Sequence, residues 1–160
     1  RADFFSSLLE TRIDEAARGL VRLRSLFGPD LRPMFVPPWN RVAPDLLPAL
    51  PGLGFTHLST VTPRRAPEAA PGLAQVDAHL DPIDWKGSRG LADPDRLIAQ
   101  IAAQLAERRS GRADASEPYG ILTHHLAHDE AIWSFIDTLL ARLMRGPVRP
   151  WTVPHMETPT

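Results

Sequence analysis

Between residues 3 and 27, Phe5, Leu8, Leu9, Ile13, Ala16, Leu20, Leu23 and Phe27 recur at the three- and four-residue steps of one helix face, and Gly28-Pro29 supplies the stop. The pattern then shortens. Residues 33–36 (PMFV) form a brief apolar run closed by Pro37-Pro38, as in a buried strand that ends where its backbone donors disappear. Residues 43–50 predict a short helix and 55–61 a second strand, while the Pro, Arg and Ala stretch 62–72 reads as loop. A third strand is predicted at 75–80. Asp93 with Pro94 announces a helix whose stripe is Leu97, Ile98, Ile101 and Leu105. Residues 119–123 predict a fourth strand. A last helix, capped near Asp129, should bury Ile132, Phe135, Ile136, Leu139, Leu140 and Leu143, with Trp133 also read as core. Residues 148–160 carry no usable pattern. Strands alternating with helices predict an α/β architecture of parallel strands covered by helices. A closed (β/α) barrel usually takes about 250 residues, so the expectation is a small open sheet or part of a barrel.

Composition narrows the partners. With 160 residues at 43% hydrophobic, the chain has material for one ordinary core. Its 18 basic and 19 acidic residues are mixed throughout and leave a net charge of -1, so no basic face for nucleic acid and no polybasic segment is expected. Lys86 is the only lysine, and the arginines are scattered rather than clustered. The absence of cysteine excludes disulfides and thiolate metal sites. No apolar run approaches the ~20 residues of a membrane span. No signal peptide is visible in this segment, which favours the cytoplasm but leaves the compartment open. The chain starts at Arg1, directly in a predicted helix, and is therefore expected to be a piece of something longer.

Three polar and aromatic constellations each follow a predicted strand: "VPPWNR" (36–41), "HLDPIDW" (79–85) and "THH" (123–125). In a parallel sheet all strand C-termini open on one rim, so these residues are expected to converge there. Alternation over 75–80 would put Asp77, His79 and Asp81 on one face, with Val76, Ala78 and Leu80 on the other. The blander alternative makes Asp77 a solvent-facing strand end and Asp81-Pro82 a turn. In "HHLAHD" (124–129), His124 and His128 have the four-residue spacing of a metal pair if both are helical, but a strand end before a cap at Asp129 argues against that spacing being realised. His124 reads instead as a general acid or base, and His125 and His128 as structural or solvent-facing. Trp39 and Trp85, in post-strand loops, suit the walls of a groove for sugar rings.

Taken together, the three segments resemble motifs of the polysaccharide deacetylases, the carbohydrate esterases that include chitooligosaccharide and peptidoglycan deacetylases. "FVPPWNR" (35–41) looks like the third motif, which forms one groove wall, "DPIDW" (81–85) like the fourth and "ILTH" (121–124) like the fifth. The resemblance implies a fold that is part of a distorted (β/α)7 deacetylase-type barrel, residues 1–160 being the C-terminal portion of that single domain. It implies hydrolysis of an N- or O-acetyl group on an acetylated polysaccharide or oligosaccharide, with a divalent metal, expected to be zinc, activating water. His124 matches the acid that protonates the leaving group, and Asp81, with Asp84 as the other candidate, the carboxylate that holds it. Leu122 and Trp85 match the wall receiving the acetyl methyl, and Pro38, Trp39, Asn40, Arg41 and His79 complete the expected substrate-binding set. Val36 stands where the third motif carries Arg, and Arg41 is the candidate replacement. The family's Asp pair and His-x-x-x-His metal motif would precede Arg1, so metal ligands are expected outside this chain and the segment alone is expected to be inactive. The alternative is a catalytically silent carbohydrate-binding or interaction protein on the same scaffold. A third, metal-free reading uses His124 and Asp81 alone. Oligomeric state is not encoded in any of these patterns.

Overall fold

Helix α1 (Ala2–Phe27) follows the predicted apolar stripe and buries Leu20 fully, with Leu9, Ile13 and Ala16 half-buried beside it. The computed structural model describes residues 2–154, with side chains from residue 7 onward; the Phe5 side chain and the tail beyond 154 lie outside what is described. The far end of the stripe differs from expectation, since Leu23 and Phe27 are exposed. The chain divides into two units, residues 1–77 with 152–160 and residues 78–151, taken in turn here.

In the first unit, β1 (Met34–Phe35), β2 (His57–Leu58), β3 (Glu68–Ala70) and β4 (Leu73–Gln75) form a sheet in the order β1-β2-β4-β3. β1 and β2 are parallel, Met34 opposite His57 and Phe35 opposite Leu58, and β2 and β4 are also parallel. β3 was predicted as loop. It pairs antiparallel with β4 through the two-residue link Pro71-Gly72, where Gly72 takes φ +78°, the combination that a type II turn requires. The predicted helix at 43–50 is a turn followed by a 3-10 turn (Leu47–Ala49) and a single helical turn, α2 (Leu50–Leu53). Leu20, Leu46, Leu50, Phe55, Leu58 and Leu73 form the core, and Phe35 meets Phe55 edge-on at 5.2 Å. Burying such side chains contributes about 1.5–3 kcal/mol each.

The predicted strand at 75–80 is two strands. Val76 N–H still reaches Leu58 O (3.0 Å), but Asp77 then leaves the ladder. Its Oδ1 accepts from Thr60 N–H (2.7 Å) and the Thr60 hydroxyl (3.0 Å), and its Oδ2 from Gln75 Nε2 (2.9 Å). Asp77 is 2% exposed, so it does not face solvent, and it lies between β4 and the next strand, which starts at Ala78, so strand alternation does not apply to it. A buried carboxylate requires this many donors.

In the second unit, β5 (Ala78–Leu80) pairs in parallel with β6 (Gly120–Ile121), joined by α3 (Pro94–Arg109) and followed by α4 (Glu130–Leu143). Both predicted caps are present: Asp93 Oδ1 accepts from Arg96 N–H (2.8 Å) and Asp129 Oδ1 from Ile132 N–H (2.9 Å). Leu80, Leu97 and Ile101 form one core cluster and Ile83, Ile132 and Ile136 another. Ile98, Leu140 and Trp133 were expected in these cores and are exposed, Trp133 by 41%. Among the described residues, no helix is long and apolar enough to cross a membrane.

Candidate functional site

β5 and β6 run in parallel, and Leu122 N–H donates to Leu80 O (2.8 Å), so both strands end at the same edge. Asp81 leaves that edge from β5 and His124 follows from β6. This register brings His124 Nε2 to 3.1 Å from Asp81 Oδ2. The carboxylate is itself held, Oδ1 accepting from Ile83 N–H (3.0 Å) and Oδ2 from Trp85 Nε1–H (2.8 Å). The Trp85 ring stands edge-on to His124 at 5.0 Å and is 46% exposed. An ionised carboxylate only accepts, so the contact assigns a proton to His124 Nε2. Nδ1 takes no hydrogen bond from any described residue. With the His124 and Asp81 side chains 27% and 29% exposed, the pair is open enough for a substrate group to reach.

The "HHLAHD" segment closes as one turn, contrary to expectation: Ala127 N–H (2.8 Å) and His128 N–H (2.9 Å) both donate to His124 O. Its imidazoles nonetheless do not converge on a shared point. His128 Nε2 accepts from His124 N–H (3.0 Å), and the two rings lie 6.0 Å apart. His125 is exposed.

Asp84 is a turn residue, its two oxygens accepting from Gly87 N–H (3.0 Å) and Ser88 N–H (3.2 Å). A Cβ at Gly87 would collide with that carboxylate. Nothing in this geometry turns Asp84 towards His124. Leu122 is half-buried, its N–H bonded to Leu80 O. Pro38, Trp39, Asn40 and Arg41 belong to the first unit. There Pro38 and Arg41 border a cavity of about 740 Å³ that Leu20, Met34 and Phe55 also line. Trp39 and Asn40 both adopt left-handed backbone (φ 58° and 54°), and Trp39 is 89% exposed. Consecutive non-glycine residues in that region are held there against a steric cost.

His79 is not a groove residue. Its side chain is 1% exposed and belongs to an interior network with Glu117, a residue that no motif or periodicity in the sequence singles out. Gly120 N–H donates to His79 Nδ1 (3.1 Å), and His79 Nε2 lies 2.8 Å from Arg108 Nη2 and 3.1 Å from Glu117 Oε2. Arg108 Nη2 lies 3.9 Å from the same carboxylate oxygen, and Nη1 donates to Glu117 O. Tyr119 stacks on His79 at 4.9 Å and its hydroxyl donates to Gln104 Oε1. Burial disfavours the phenolate and pushes Tyr119 up to about 12, against the opposing pull of Arg108. As Tyr119 is the only tyrosine, absorbance at 295 nm reads it alone: the folded chain is expected to titrate near 12 and the urea-unfolded chain near 10.0. The folded pKa is the higher one. This contribution to stability is therefore complete below pH 10.0 and is lost as the pH rises through about 12.

Comparison with protein-family models, curated proteins and solved structures found no match to this chain.

Proposed function

We propose that this chain is the acid-bearing portion of a metal-dependent deacetylase that removes N- or O-acetyl groups from a polysaccharide or oligosaccharide, on a deacetylase-type α/β barrel. The observation that carries the reading is the Asp81–His124 pair with Trp85 locked against it. With Nε2 committed to Asp81, His124 Nδ1 is the nitrogen that gives a proton to the departing amine or hydroxyl as the acyl bond breaks. Asp81 stabilises the imidazolium that precedes this transfer and fixes the ring's orientation. Trp85 contributes a flat apolar face beside these polar groups, as a sugar ring requires.

A zinc ion would supply carbonyl polarisation and an activated water. The described residues of this chain do not fit it. Asp81 Oδ2 already serves Trp85 and His124, and His128 Nε2 serves the main chain of His124. Among the described residues no group of three His, Cys, Asp or Glu could hold a metal. The proposed reading, following the motif resemblance, assigns the ligands mainly to polypeptide outside residues 1–160.

Acetate release from N-acetylated chitooligosaccharides and O-acetylated glycans tests this. The polypeptide including everything encoded upstream of Arg1 is expected to release acetate and to lose that activity to a chelator, while residues 1–160 alone release none. Release by residues 1–160, or chelator-resistant release by the longer chain, would sink it. The silent carbohydrate-binding alternative draws on exposed Trp39, whose ring is free to stack on sugar without any chemistry. Glycan binding by the longer chain with no acetate released would favour that alternative.

A further inference from the structure

One histidine beside the pair has no part in that proton transfer. His128 Nε2 accepts the main-chain N–H of His124 at 3.0 Å, so this nitrogen carries no proton. Its Nδ1 is buried with no partner, and its ring packs on Trp133 at 4.5 Å and on His124 at 6.0 Å. We propose that His128 is a positioning residue that braces His124 in a pH-dependent way: neutral, it holds the His124 main chain through Nε2, and protonated, it has no lone pair and releases it. The effect on rate rests on the deacetylase reading; the brace itself does not.

The surroundings favour the neutral, bracing form near pH 7. The titratable groups facing His128 are His124 at the end of β6, Asp81 at the end of β5 and Asp129 at the cap of α4. Burial first and the neighbouring His124 second lower its pKa from 6.5, outweighing the two carboxylates, which raise it. Keeping His128 uncharged also spares the site a second imidazolium when His124 becomes one. Because the folded pKa is depressed, the stability held by the brace is full above pH 6.5 and lost as the pH falls through the folded value.

NMR on the ¹⁵N-labelled 160-residue chain tests the brace without any substrate. In the wild type, the His128 ring is expected to show an unprotonated Nε2 at pH 7, and the His124 amide to shift with the same midpoint as that ring, below 6.5. His128→Gln offers an amide oxygen that accepts without titrating, so the His124 amide should lose this transition. His128→Ala should exchange the His124 amide about tenfold faster than wild type at pH 7, the loss of one net hydrogen bond, and this difference should vanish as the pH falls and wild-type His128 is protonated. A protonated Nε2 in the wild type at pH 7, or a His124 amide that titrates identically in wild type and His128→Gln, would overturn the proposal. The wild-type titration stands even if a variant folds poorly. In the longer polypeptide, His128→Gln should keep the acetate-release rate below pH 6.5 where the wild type loses it. An intact NMR linkage with no acetate release would refute the deacetylase reading and leave the brace standing.

Discussion

His124→Ala is expected to lower kcat for acetate release by the longer polypeptide about 10²–10⁴-fold, the usual span for a positioned proton donor, with much less change in KM. The imidazole would be lost while the groove stays, since His124 contacts Asp81, Trp85 and His128 through its ring and main chain rather than filling a core. Added imidazole should restore part of the rate, an outcome that a structural role for the ring would not allow. Asp81→Asn should fall between wild type and His124→Ala, because the asparagine can turn its NH₂ towards Nε2 and so favour the wrong tautomer. Asp84→Asn should leave kcat unchanged, its oxygens being engaged by Gly87 and Ser88. Wild-type kcat in His124→Ala would remove the proposed acid.

The proximity of Asp81 and His124 was legible in the sequence because it needs only two parallel strands ending on one side, and strand ends are marked by composition. The caps Asp93 and Asp129 were legible for a similar reason: each is a local signal satisfied three residues on. What failed depended on pairing and packing rather than on each segment's own composition. β3 is Glu68-Ala69-Ala70, with no β-branched or aromatic residue, and becomes a strand only because Gly72 folds it onto β4. The alternation drawn through 75–80 broke at Asp77, whose donors come from Thr60 and Gln75. Helix periodicity located the inner faces of α3 and α4 through Leu97, Ile101, Ile132 and Ile136, but not the width of each face, so Ile98, Leu140 and Trp133 were assigned inward and lie outward. His128 was read as structural because its acceptor role depends on a turn that a strand-then-cap pattern does not predict.

The largest stability effect is expected at Glu117, remote from the proposed chemistry. Its side chain and that of His79 are each 1% exposed, so Glu117→Ala would remove from the interior the carboxylate that lies 3.1 Å from His79 Nε2 and 3.9 Å from Arg108 Nη2. Stranding a buried partner in this way costs about 3–5 kcal/mol. With an m-value near 2 kcal/mol/M in urea, the midpoint should fall by about 2 M. Fluorescence can follow it, since Trp85, Trp133 and Trp151 all lie in the second unit. Glu117→Gln, which keeps polar atoms beside His79 and loses only the charge, should cost roughly 1–2 kcal/mol. The double variant His79→Leu with Glu117→Met should be less destabilised than Glu117→Ala, because a well-packed apolar pair demands no compensation for a buried charge. Midpoints within about 0.5 M of wild type for Glu117→Ala would show that the network contributes little. The consequence also reaches the site. His79 Nδ1 holds Gly120 N–H in the first residue of β6, and β6 carries His124 to Asp81, so loosening this buried contact should let that pairing fray and slow catalysis without any change to a residue that touches substrate.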